Sequence, residues 1–75
     1  IIPFAESKDE ITNRLTKREI EILKLVKDGF LSKEISDKLS ISLHTVNTHR
    51  QRVLEKLRVD NSIEAVMLAS KLGLI

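Results

Sequence analysis

Side chains that both donate and accept hydrogen bonds are concentrated in residues 44–52 of this sequence. Asn and Gln match the major-groove edge of adenine, Thr can bond a base or contact a thymine methyl, and Arg binds guanine or phosphate. The stretch therefore predicts contacts with DNA bases and phosphates. Its one apolar residue is Val46, and the others are His44, Thr45, Asn47, Thr48, His49, Arg50, Gln51 and Arg52.

An ordinary solvent-exposed helix face is the alternative interpretation of these residues. Such faces usually carry opposite charges four residues apart, which support the helix. Residues 44–52 contain no acid and use Thr, Asn and His, which are poor helix formers. The composition therefore favours a binding face.

Positive charge is concentrated in the same region. The chain has a formal net charge of +2, whereas residues 42–58 alone carry +3. The rest of the chain therefore sums to −1, and this distribution is typical of a nucleic-acid-binding surface. The charges in that segment are Arg50, Arg52, Lys56 and Arg58 against Glu55.

Length and composition exclude several classes of protein. A chain of 75 residues forms one small domain, which buries only about 60% of the surface that its unfolded chain exposes. The absence of Cys excludes disulfides, thiolate catalysis and the common zinc sites, and it fits a cytoplasmic location. The longest apolar run, residues 65–69, is far shorter than the roughly 20 residues of a membrane span.

His44 and His49 lie about 140° apart on a helix and do not form a metal-binding pair. We expect no catalytic residue, metal or cofactor.

Capping patterns predict an all-α fold of four helices in a compact domain spanning residues 15–75. The first helix begins with a capping box of Thr16 and Glu19 and stops at Gly29. The second covers residues 32–39, with Ser32 as its cap. Residues 1–14, which contain Pro3 and show no sustained period, are predicted to be a flexible linker or tail. The lack of an initiator Met suggests a piece of a longer protein.

The third helix is predicted over residues 42–57, with Ser42 as its cap after a tight turn of residues 40–42. Val46, Val53 and Leu57 fall within about 40° of each other and form a core-facing stripe. A fourth helix begins at Asn61 and ends at Gly73. A short helix, a tight turn and a longer helix with polar residues at its start form a helix-turn-helix.

These motifs resemble the LuxR-type helix-turn-helix domain of NarL/FixJ response regulators and quorum-sensing regulators. The resemblance covers residues 15 to about 72, and its marks are LTKRE, the stop at Gly29, SKEISDKLSIS, TVNTH, KLRV, and Asn61 with EAV. It implies sequence-specific binding of double-stranded DNA by the output domain of a transcriptional regulator. In that family the helix corresponding to residues 42–57 enters the major groove, and the domain binds paired half-sites as a dimer.

The resemblance also implies roles for single residues. Asn47, Thr48 and Gln51 match the positions that face base edges. Positions used for phosphate contact or helix support are matched, or adjoined, by Thr45, His49, Arg52 and Lys56. Lys33, near the start of the second helix, could add a phosphate contact. Asn47 stands where Lys is common, Ser36 where Ala is common and Ser62 where Arg is common. The missing Lys at position 47 implies a different sequence preference or weaker binding.

The fourth helix carries more apolar residues than one core-facing stripe requires. A homodimer patch of Val66, Leu68 and Ala69 is the interpretation that the resemblance favours, and the alternative is that these residues cap a small core. We further expect an upstream regulatory domain, either receiver or sensor, with RNA polymerase as a candidate partner.

Two other functions remain open from the sequence. The promoter-binding region of a sigma factor shares the helix-turn-helix and a KLR ending, although Asn61 with EAV favours the LuxR type. A helical protein-interaction module without DNA binding is the second alternative, because the net charge is small and Lys is missing at position 47. An enzyme is not expected, since so short a chain offers no pocket of convergent titratable groups.

Overall fold

The computed structural model describes residues 14–75, and over these residues the chain forms four α-helices and no strand. The helices are α1 (Lys17–Lys27), α2 (Ser32–Leu39), α3 (Leu43–Leu57) and α4 (Ser62–Lys71). The predicted all-α, four-helix fold is confirmed. The predicted tail falls almost wholly on residues 1–13, which lie outside the described residues.

The start of α1 is the predicted capping box. Thr16 Oγ1 accepts a hydrogen bond from Glu19 N at 3.1 Å, and Glu19 Oε1 accepts one from Thr16 N at 2.9 Å. At the other end of the helix, Gly29 adopts φ 95°. Phe30 N then donates to Leu25 O at 3.0 Å, which turns the chain back onto the helix. Both ends of α1 therefore follow from local sequence.

The start of α2 differs from the prediction. Leu31, and not Ser32, is the residue before the first helical turn, with φ −80° and ψ 159°. Glu34 Oε1 accepts from Leu31 N at 2.8 Å, so a side chain three residues later satisfies the free amide. Ser32 is the first helical residue, and its hydroxyl bonds Arg50 of α3 instead.

The turn between α2 and α3 occupies residues 40–42, as predicted. Ser40 adopts a left-handed conformation, with φ 56°, and Ile41 N donates to Ser36 O at 3.1 Å. Ser42 Oγ then accepts from Thr45 N at 3.0 Å, which confirms Ser42 as the cap of α3. Ser40 ends α2 and Ser42 begins α3, so Ile41 is the single residue between the two caps.

The core consists of two clusters that α3 joins. Val46 is buried with Ile22 and Ile35, whereas Val53 and Leu57 are buried in the second cluster. The predicted core-facing stripe of α3 is therefore confirmed. This helix packs against each of the other three, so its position is fixed from several sides. The second cluster is completed by Leu15, Leu23, Ala65 and Ala69.

The fourth helix begins at the predicted cap, where Asn61 Oδ1 accepts from Glu64 N at 2.9 Å. Ala69 is fully buried in the core, so its assignment to an exposed dimer patch needs correction. Val66 and Leu68 are half-buried and pack against the core. They flank the core-facing side of α4 that Ala69 occupies, because residues three and one positions before it are turned from it by roughly 60° and 100°.

We predict that Ser40→Gly stabilises the domain by about 0.5–1 kcal/mol. Ser40 is exposed, and Gly adopts its left-handed conformation without the steric cost that a Cβ carries. Urea unfolding followed by far-UV circular dichroism measures the change. Gly29→Ala is the matched control: at φ 95°, with nothing within 4 Å of an added Cβ, it should destabilise by about 1 kcal/mol. A shift of both variants in the same direction would contradict the backbone explanation.

Candidate nucleic-acid interface

One face of α3 presents a row of polar side chains to solvent. Asn47, Gln51 and Arg52 are exposed, and Thr48 beside them is half-buried. His44 and Glu55 complete the shallow surface depression that these side chains line. The three residues predicted to contact bases are therefore brought onto one continuous surface, on the opposite side of the helix from Val46 and Val53.

The amides and the hydroxyl on this face are not engaged by the protein. Among the described residues, no hydrogen bond involves the side chain of Asn47, Thr48 or Gln51. Each amide offers two donors and an acceptor, and the hydroxyl offers one donor and two lone pairs. These groups can therefore bind a partner without first breaking an internal bond.

The side chains predicted to contact phosphate fall into two groups. Lys33 and Arg52 are exposed. Thr45 and His49 are half-buried, and the Thr45 hydroxyl already bonds Ser42 Oγ at 2.8 Å. The Nδ1 atom of His49 is buried with no hydrogen-bond partner among the described residues, so only the rest of that ring could contact a phosphate.

Lys56 requires a correction. Its ammonium donates to Glu19 Oε1 at 2.8 Å and to Oε2 at 3.0 Å. Glu19 is 1% exposed, and its Oε1 also accepts the Thr16 amide. Because a buried carboxylate needs a cation beside it, Lys56 is held in the domain and does not extend towards a phosphate. Its role is to join the end of α3 to the start of α1.

Arg50 is a second cation that faces inwards. Its Nη1 donates to Ser32 Oγ at 2.7 Å, and its Nη2 donates to Ser62 Oγ at 2.6 Å. The guanidinium therefore joins α3 to the first turns of α2 and α4. By sequence alone, Arg50 counts among the cations of the basic surface. The missed signal was its spacing, because Arg50 follows the buried Val46 by four residues and so lies on the same side of the helix.

The charge that α3 presents to a partner is consequently smaller than its sequence suggests. Two of the four cations in residues 42–58, Arg50 and Lys56, are engaged inside the domain. Arg52 and Arg58 remain exposed together with Glu55. The outward face is thus mainly a hydrogen-bonding surface with a weak positive charge.

Residues 14–75 contain neither a metal-binding cluster nor a helix suited to span a membrane. No group of three or more His, Cys, Asp or Glu residues there could hold a metal ion. No helix in that range is long and apolar enough to cross a membrane.

Comparison with known proteins gives a consistent result. The bacterial regulatory proteins of the luxR family match residues 13–69. The response regulatory protein YgeK of Escherichia coli (strain K12), described as uncharacterised, is 46% identical over 61 residues, or 81% of this chain and 42% of YgeK. The transcriptional regulatory protein DesR of Bacillus subtilis (strain 168) is 48% identical over 61 residues, or 81% of this chain and 31% of DesR.

A solved structure is also similar. The response regulator ChrA of a heme-sensing two-component system superimposes with a TM-score of 0.78 at 41% sequence identity, covering 81% of this chain and 30% of ChrA. The chain thus spans between 30% and 42% of the length of these three proteins.

We predict unequal losses of stability when the two partners of the buried ion pair are changed singly. Lys56→Met leaves the Glu19 carboxylate buried without a cation and should cost about 3 kcal/mol. Glu19→Gln keeps an acceptor for the Thr16 amide, and Lys56, whose side chain is 30% exposed, can turn to water, so this change should cost about 1 kcal/mol. Urea unfolding compares the two variants. A larger loss for Glu19→Gln would contradict the assignment of Glu19 as the buried member.

Proposed function

The chain belongs to the luxR family of bacterial regulatory proteins, and from this premise we propose that it binds specific double-stranded DNA with α3 in the major groove. Membership of the family makes the chain a DNA-binding domain of transcriptional regulators and not an enzyme. The observation that carries the proposal is the unengaged polar face of α3, which contains Asn47, Thr48 and Gln51. In a helix-turn-helix the second helix enters the major groove, and α3 occupies that position after α2.

Direct base contacts are assigned to Asn47, Thr48 and Gln51. All three follow the cap of α3 within its first three turns, the part of a recognition helix that contacts base edges. Glu55 lies one turn beyond Gln51 and is exposed. A carboxylate there repels phosphate, so the contact surface ends before it.

Phosphate contacts are assigned to Lys33 and Arg52, with weaker contributions from Thr45 and His49. Both cations are exposed, whereas Lys56 is held by Glu19. Each phosphate neutralised changes the slope of log affinity against log salt by about −0.9. Two cationic contacts per domain give a slope near −2, about half of the value that four phosphate contacts would give.

A second copy of the chain is the proposed partner of α4. Ile63 and Met67 are 73% and 66% exposed, and they border a groove that also contains Phe30 and Leu31. The dimer surface therefore centres on Ile63 and Met67, with the half-buried Val66 in the same groove. Leu68 packs against the core instead. A symmetric pair places two recognition helices about one DNA turn apart, roughly 10 bp.

The wider context is proposed from the relatives. YgeK, DesR and ChrA are named as regulators, and YgeK and ChrA specifically as response regulatory proteins. We propose that this chain is the output domain of such a protein, with a receiver as the upstream regulatory domain. RNA polymerase in a bacterial cytoplasm is the candidate target of the bound regulator.

Two alternatives from the sequence are less well supported. The family match favours the luxR type over a sigma-factor region. A protein-interaction module without DNA binding would not need free amides and a hydroxyl on one helix face. Measured salt-dependent binding to a duplex would exclude it.

We predict that Arg52→Met weakens binding to every duplex and makes the salt slope shallower by about 0.9, because one phosphate contact is lost. Fluorescence anisotropy across a salt series gives the slope. Arg50→Met is the matched control on the same helix. It also removes one positive charge, but that charge is bound to Ser32 and Ser62 inside the domain. The free energy of unfolding should therefore fall while the salt slope stays unchanged. Equal slopes for Arg52→Met and the unaltered chain would remove Arg52 from the interface.

We predict that Met67→Glu lowers affinity for paired half-sites about tenfold or more, because a charge enters the apolar dimer surface. Affinity for a single half-site should change less than twofold. Met67→Leu keeps the apolar surface and should bind paired half-sites normally. Sedimentation of the protein on the paired duplex measures the stoichiometry, and an unchanged two-to-one complex for Met67→Glu would place the dimer contact elsewhere.

A further inference from the structure

The two exposed amides of α3 form a pair. Asn47 and Gln51 are four residues apart, both are exposed, and both line the same outward surface. Resting on the DNA-binding function proposed above, we propose that this pair recognises two adenines that lie no more than two base steps apart. The half-site is therefore defined by A·T pairs at the centre of the interface.

Hydrogen-bonding chemistry selects adenine over guanine. An amide donates to adenine N7 and accepts from the adenine N6 amino group, which satisfies both groups of the base edge. Guanine presents two acceptors, O6 and N7, and is best bound by the two donors of Arg or by Lys. Neither Asn47 nor Gln51 is cationic, and the nearest exposed cation, Arg52, lies at the flank of the face.

Neighbouring side chains favour the same bases. Glu55, one turn beyond Gln51, lies outside the contact surface and adds no cation that could bind guanine. Thr48 lines the same surface as the two amides and carries a methyl group. Each adenine pairs with a thymine whose methyl group projects into the major groove, and Thr48 can pack against one of these methyls.

The spacing follows from helix geometry. A rise of about 1.5 Å per residue separates Asn47 from Gln51 by about 6 Å along the axis of α3. Base pairs in B-DNA are stacked about 3.4 Å apart. A helix that lies along the groove therefore spans just under two base steps between these residues, and an inclined helix spans less. The spacing is the same whether the two adenines lie on one strand or on opposite strands.

Replacing adenines by an analogue that lacks a single hydrogen-bond acceptor tests the proposal. The 75-residue chain first selects duplexes from a random pool at low salt, and 7-deazaadenine then replaces each adenine of the selected half-site in turn. This base keeps its partner thymine and its amino group but lacks the N7 acceptor. We expect two sensitive adenines, at most two steps apart, each with an affinity loss between about fivefold and about a hundredfold.

Two variants assign the adenines to residues. Asn47→Ala should become insensitive to 7-deazaadenine at one position and stay sensitive at the other, and Gln51→Ala should show the reverse. His44→Ala, an exposed change on the same face, should keep both sensitivities. Circular dichroism checks that all three variants fold, which is expected because none of these side chains is buried.

The outcomes separate this proposal from the function on which it rests. Two results would overturn the adenine pair while leaving DNA binding intact. One is salt-dependent binding to a selected duplex that has guanine at the central positions. The other is salt-dependent binding with no 7-deazaadenine effect above twofold. Sensitive adenines more than two steps apart also overturn it. Failure to select or bind any duplex, even at low salt, overturns the DNA-binding proposal itself.

Discussion

The ion pair between Lys56 and Glu19 is the constraint on which the arrangement of helices depends. It connects residues 37 positions apart, near the end of α3 and the start of α1. Glu19 also accepts the amide of Thr16, so one carboxylate both starts a helix and fixes another against it. Because the pair acts on the last turn of α3, the first turns of that helix remain free to contact a partner.

Local sequence was sufficient to predict most of the fold. The caps at Thr16, Ser42 and Asn61 were correct because each depends on a bond within three residues, which spacing alone reveals. The buried stripe of α3 was correct for a similar reason, since helical periodicity places Val46 and Val53 on one side. Whether the first fourteen residues form a tail, and which residues touch DNA, remain predictions.

Contacts between distant residues were harder to predict. Lys56 and Arg50 were counted as part of the DNA-binding charge, yet both bond partners on other helices. Periodicity does place Arg50 beside the core, but it cannot identify Ser32 and Ser62 as the acceptors. Long cationic side chains can extend in several directions. Which partner such a side chain bonds is therefore decided by how the helices pack. The same limit explains Ala69, whose burial depends on the neighbours of α4.

The separation of functions around α3 bears on how such a domain can evolve. Its apolar stripe supports the fold, and its outward amides contribute nothing to the core. Substitutions at positions 47 and 51 are therefore nearly neutral for stability. Gene duplicates of this domain can acquire new operators without compensating changes in the interior, so a lineage can diversify its regulatory targets while every copy keeps the same scaffold.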